Sequence, residues 1–161
     1  MKSEAQIKLH RMYIKNSLFE TAALTQSLLE NTPPLTIDLQ VYANSHLLDG
    51  GIHEATVTLQ VSAKHNGSLI WRVQLLQAGQ YTLQGLPEEL QKQVLNGFCI
   101  NQLYPHACAA ITQMVVQSGF PAVYLQPMNF EQLYKENLEK QNKEKAEKEK
   151  ADKEESAVLV S

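Results

Sequence analysis

Hydrophobic and polar positions divide this chain into a first half with strand period and a second half with helix period. From Gln6 to Ile14 the two kinds alternate. Ile7, Leu9 and Tyr13 fall to one side and Lys8, His10, Met12 and Ile14 to the other, which predicts an edge or near-edge strand. Thr32-Pro33-Pro34 closes a polar loop, held extended because the residue before proline is kept out of the helical region. Leu35, Ile37, Leu39 and Val41 then alternate with Thr36, Asp38 and Gln40 as a second strand. A third runs from about Ile52 to Lys64, with Ala55, Val57, Leu59, Val61 and Ala63 inward and Glu54, Thr56, Thr58 and Gln60 outward. Asn66-Gly67 is a strong signal for a tight primed hairpin, and a fourth strand follows from Leu69 toward Leu83. Half-polar strands in this sequence predict an antiparallel meander with one open face.

After Gly85 the period changes. Pro87-Glu88-Glu89 opens a helix, with proline tolerated in the first turn and two acids at the positive end of the dipole. It runs toward Val116, with an irregularity expected at Pro105, and Gly119 ends it. Between Pro105 and Val116 the clearly polar residues are His106, Thr112 and Gln113. A helix with so little polar face predicts cover from its own sheet and from a second subunit. Phe120-Pro121 through Gln126-Pro127 crosses back as a loop. Asn129 caps a last helix carrying Phe130, Leu133, Tyr134 and Leu138 at helical spacing.

Charge changes the picture mainly at the end. Residues 135–155 hold seven Lys and eight Asp or Glu, leaving seven Lys or Arg and nine acids for residues 1–134. The Lys/Glu run cannot bury enough to fold alone and reads as a solvated appendage, a frayed helix or disorder. The expected division is therefore a domain over 1–140 and a tail over 141–161. Net charge is −3, which gives no basic footprint for nucleic acid. No apolar run approaches the ~20 residues of a membrane span. With no secretory apolar stretch at the start, and only Cys99 and Cys108, a cytoplasmic protein without disulfides is expected.

No phosphate-binding glycine loop and no HExxH occurs, and no cofactor or metal is expected. Cys99, Cys108 and His106 lie within ten residues and suggest a thiol nucleophile with a base. Cysteines in an apolar helix are far more often small core residues. Asn66-Gly67-Ser68 fits a glycosylation acceptor only by accident without a secretory signal.

Four stretches carry a resemblance. They are RMYIKNSLFE (11–20), GFCINQLYPHA (97–107), ITQMVVQSGFP (111–121) and LQPMNFEQLY (125–134). Over roughly residues 6–138 the chain resembles the SecB-type protein-export chaperones. The resemblance implies an α+β subunit: a four-stranded antiparallel sheet, a long helix and a shorter C-terminal helix, assembled as a homotetramer, a dimer of dimers. It implies ATP-independent binding of unfolded precursor proteins and delivery to the SecA translocase motor, with no catalysis.

Carried over by position, the client surface would comprise Leu35, Ile37, Leu39, Leu75, Val123, Leu125, Tyr134 and Leu138. The motor-contacting face would include Asn16, Glu20, Arg72 and Gln74, and the subunit interface Phe98, Cys99, Leu103, Ile111 and Met114. Departures stand out. Asn16 and Gln74 replace acids of the family, Arg72 replaces leucine and Asn31 replaces tryptophan. Ile100, His106 and Cys108 replace proline, tyrosine and arginine. The altered acidic positions motivate an alternative in which the chaperone serves one partner, such as an antitoxin, with little SecA contact. A thiol enzyme using Cys108 and His106 is the third reading.

Overall fold

A computed structural model describes residues 4–22 and 34–160; Asn31 and the Thr32-Pro33 part of the loop signal lie outside them. Among the described residues, β1 (Gln6–Thr21), β2 (Thr36–Leu47), β3 (His53–His65) and β4 (Ser68–Gln84) form one antiparallel sheet in the order β1-β4-β3-β2. β2, β3 and β4 make the expected meander. β1 does not join it in sequence order: it pairs with β4, so β1 and β2 are the two edges. The β3–β4 hairpin turns at Asn66 (φ 48°) and Gly67 (φ 80°), the positive pair that a primed turn requires.

The alternation expected in β1 is corrected by two β-bulges, at His10 and between Ile14 and Asn16. Ile7, Leu9, Met12 and Ile14 lie opposite Leu83, Tyr81, Gly79 and Gln77 and share the helix-side face. Tyr13 therefore shares the open face with Lys8 and Arg11. Each extra residue in a strand flips the side of everything after it, and a strict period of two cannot count it.

The core forms on one face. Ala55, Val57, Leu59, Val61 and Ala63 of β3 and Trp71, Val73 and Leu75 of β4 are buried. They meet a helical run made of α1 (Glu88–Gln93), a π-helical turn (Val94–Phe98) and α2 (Cys99–Gln117). The irregularity lies in that π turn rather than at Pro105, which sits inside an α-helix continuous from Cys99 to Gln117. α2 buries Cys99, Ile100, Leu103, Tyr104, Ala107, Ile111 and Val115, while Gln102, Pro105, His106, Ala109, Gln113 and Val116 face outward. Its outer side is thus polar or small more than apolar. Tyr81 ties the layers together, donating its hydroxyl to Gln102 Oε1 at 3.0 Å.

α2 ends in a double backbone cap. The Gly119 N–H donates to Val116 O (3.1 Å) and the Phe120 N–H to Val115 O (3.2 Å), with Gly119 at φ 90°. The chain returns over 118–129 to α3 (Phe130–Val160), where Asn129 Oδ1 accepts from the Gln132 N–H at 3.3 Å. Asn101 Oδ1 of α2 accepts from the Phe130 N–H at 2.8 Å, a second cap from outside the helix. Gly97 makes this docking possible: a Cβ there would stand 2.9 Å from Glu131 Cγ and 3.1 Å from Glu131 Cα. The expected shorter C-terminal helix is corrected. α3 has 31 residues, about as long as the whole helical run Glu88–Gln117 before it, because closely spaced Lys and Glu support helix propagation without burial. Residues 135–155 are exposed throughout. No helix among the described residues is long and apolar enough to cross a membrane.

Candidate functional site: an apolar shelf and an open sheet face

The return loop is fastened to α2 by two side chains. Thr112 donates its hydroxyl to Val123 O (2.6 Å) and Tyr104 to Gln126 O (2.7 Å), so extended backbone is held without a strand partner. Between loop and helix lies a groove of 670 Å³ lined by Cys108, Ala109, Thr112, Val116, Tyr124 and Leu125 among others. Tyr124 is 82% exposed and Val116 51%. On β2 Ile37 is 36% exposed, and Leu39, with Leu35 just before the strand, rests partly covered against the core. Val123 and Leu125 rest against the same core, Tyr134 is half-buried, and Leu138 is 40% exposed.

Seven of the eight client positions therefore keep some accessible surface. The eighth, Leu75, does not: it faces the helices between Leu59 and Ser17 and is fully buried. The interface set divides too. Cys99, Leu103 and Ile111 are fully buried within the subunit's own core, and only Phe98 and Met114 reach the surface. The resemblance put these five at a subunit contact, but the side of the helix that carries Cys99, Leu103 and Ile111 packs on the subunit's own sheet and is used up there.

The opposite face of the sheet is polar. Near the start of β3 Glu54 is almost wholly covered, with Lys15 Nζ at 2.6 Å and the Tyr13 hydroxyl donating to its other oxygen. His46 Nε2 stands 3.5 Å from Glu54 Oε1. The Lys15 hydrogen bond, then that of Tyr13, holds the Glu54 carboxyl below its usual range, while burial chiefly pushes the Tyr13 phenol up. This cross-strand group was not foreseen from the sequence. Only a lysine and a tyrosine two apart, facing a lone acid of another strand, hinted at it.

Toward the other end, Arg72 Nε donates to Glu20 Oε2, directly across the β1–β4 pairing. The four motor-contact positions do come together there: Asn16 is paired with Leu76, next to Gln74, and Glu20 with Arg72. A shallow depression of 360 Å³ beside them is lined by Leu18, Asp38, Gln60, Arg72 and Gln74. Among the described residues its lining carries one carboxylate, Asp38, while Glu20 nearby is engaged by Arg72.

Burial works against both thiols as nucleophiles. Burial pushes Cys99 up to about 12, and burial also raises Cys108. His106 and Cys108 are two residues apart on α2 and point to different sides of it. In the folded protein Cys99 keeps its proton to higher pH than in the unfolded chain. Its contribution to stability is thus whole below about 9 and is lost as pH rises toward about 12. Under native conditions a thiol reagent should modify Cys99 at least about a hundredfold more slowly than in denaturant. Fast native labelling of either cysteine would restore the thiol-enzyme reading.

The described residues form a two-layer α+β subunit with an accessible apolar shelf beside its return loop. The family model "Preprotein translocase subunit SecB" matches residues 1–141, and the chain belongs to the SecB family. The protein-export protein SecB of Pseudomonas fluorescens is 32% identical over 132 residues, spanning 81% of this chain and 82% of that one. SecB of Acidithiobacillus ferrooxidans is 32% identical over 135 residues, 83% and 90% of the two chains. Among solved structures, a SecB-like chaperone of Mycobacterium tuberculosis in complex with a ChAD peptide from an antitoxin shares the fold. Its TM-score is 0.63 at 10% identity, over 76% of this chain and 91% of that one. The protein is a SecB-type chaperone.

Proposed function

We propose that this chain is an ATP-independent holdase that binds unfolded precursor proteins in the cytoplasm, keeps them competent for translocation and passes them to SecA. It would work as a homotetramer, with residues 1–140 as the chaperone domain and 141–161 as a charged appendage. The carrying observation is the accessible apolar surface on β2, the return loop and α3: Ile37, Leu39, Val123, Leu125, Tyr134 and Leu138. Apolar burial is worth about 25 cal/mol per Å² and has no directional demand, so one such surface can hold many unrelated segments. Binding the unfolded state alone slows a client's folding by mass action, and several copies in one oligomer raise avidity for a long chain. The test is aggregation of a denatured, slow-folding client, followed by light scattering. Suppression near equimolar oligomer, with four subunits by mass, is expected; a monomer indifferent to the client would end the proposal.

A second reading is favoured by one observation, the engagement of Glu20 by Arg72. A motor segment drawn to acidic groups would find that carboxylate already neutralised, with amides at Asn16 and Gln74 beside it. Such a chaperone would serve a dedicated partner and touch SecA weakly. The Mycobacterium tuberculosis neighbour is a SecB-like chaperone solved with a peptide from an antitoxin. Arg72→Leu releases Glu20 and removes a cation, so SecA affinity in a titration should rise about fivefold or more and become more salt-sensitive. An unchanged affinity would separate Glu20 from the motor contact altogether.

A further inference from the structure

We infer that the first half of β1 builds a cationic docking strip for an acidic segment of a partner protein. Both bulges of β1 bear on it. A regular strand would put two of any four consecutive residues on the open face. The irregularities at His10 and Lys15 add a basic residue each time, so Lys8, His10, Arg11 and Lys15 share that face within eight positions. Side-chain contacts place them there: His10 Nε2 lies 2.5 Å from Thr82 Oγ1, Lys15 bonds Glu54, and the Arg11 guanidinium lies 5.8 Å from the centre of the Tyr13 ring.

The neighbouring open-face positions on β4 are Ala78, Gln80 and Thr82, all neutral. Glu54 is the one carboxylate that the described strands turn toward the strip, and Lys15 and Tyr13 already occupy it. Glu4 precedes β1, and Asp49 lies in the turn at the β2–β3 edge, across the sheet. Lys8 and Arg11 have no carboxylate partner among the described residues.

Two unpaired cations, a histidine and a lysine in reserve fit carboxylate side chains of an extended segment, with Arg11 able to take one by two parallel hydrogen bonds. A nucleic acid fits worse. The chain carries net −3, which repels a long polyphosphate, and the strip offers few of the contacts on which such binding depends. The sign is opposite to a surface for a basic motor segment. The inference goes beyond the holdase reading and does not need it, since the strip lies on the face away from the apolar shelf.

Fluorescence anisotropy on the full-length protein tests it, with labelled ten-residue peptides of alternating Glu and Ser or Lys and Ser and a ten-nucleotide single strand. The acidic peptide should bind best, and its affinity should fall at least about tenfold between low and high salt as screening shortens. Lys8→Glu and Arg11→Glu should each weaken it about fivefold or more, whereas Lys64→Glu at the far end of β3 should change it less than about twofold. Lys8 is exposed and its side chain makes no ion pair among the described residues, so Lys8→Glu decides should Arg11→Glu disturb β1. Tighter binding of the basic peptide or the oligonucleotide overturns the inference, as does equal loss at Lys8 and Lys64. Aggregation suppression by the same variants should be unchanged, which separates this result from any failure of the holdase reading.

Discussion

Replacing Trp71 by alanine is expected to remove about 3–5 kcal/mol of stability, a cost typical of a large side chain lost from a packed core. Trp71 is fully buried and stacks on Phe19 with ring centres 5.6 Å apart, with Phe120 at 6.3 Å. These three rings join β1, β4 and the start of the return loop, so one cavity loosens three parts of the fold. Its Nε1 is buried without a hydrogen-bond partner among the described residues. An orphaned buried donor costs about 1–3 kcal/mol, so Trp71→Phe gives back part of what it loses in area and should cost less than about 1.5 kcal/mol. Urea unfolding at one fixed protein concentration reads both, because subunit association would shift the midpoints. Equal losses for phenylalanine and alanine would mean that the indole N–H is satisfied in the working assembly.

The second large effect concerns clients. Ile37→Asp combined with Leu138→Asp places two charges on the proposed apolar shelf, at positions 36% and 40% exposed. Removing central apolar contacts typically costs a binder about 2 kcal/mol or more, so aggregation suppression should need at least about tenfold more protein. The cost to folding should stay at about 1 kcal/mol, the span of strand propensity at Ile37, with Leu138 on the solvated helix adding little. Leu75→Ala should do the reverse. It opens a cavity worth about 2–5 kcal/mol yet leaves the client affinity of the folded fraction alone, because Leu75 faces the helices. Intact suppression by the double aspartate variant would move the client site elsewhere, the groove at Tyr124 and Val116 being the next candidate.

What could be read in advance followed local rules. Asn66-Gly67 gave its turn, Asn129 its cap and Gly119 its helix end, because each depends on the backbone freedom or side-chain reach of one or two residues. Strands β2, β3 and β4 were legible from period two. β1 was half legible, since a bulge is set by the partner strand as well as by its own sequence. The surfaces were harder. The resemblance put Leu75 among client contacts and Cys99, Leu103 and Ile111 at a subunit contact, whereas burial places all four inside the subunit.

By itself the sequence determined the class of protein: an antiparallel sheet backed by helices, in the SecB family. Those properties are carried by periodicity, turn residues and motif runs, all local in the chain. Only the tertiary structure decided that Arg72 engages Glu20, that Tyr13 and Lys15 close over Glu54, and that Gly97 gives α3 its seat. Each joins residues some thirty to fifty positions apart, brought within contact distance by strand register or helix docking. Charge and close packing act over a few ångströms of space, and separation along the chain does not report that distance.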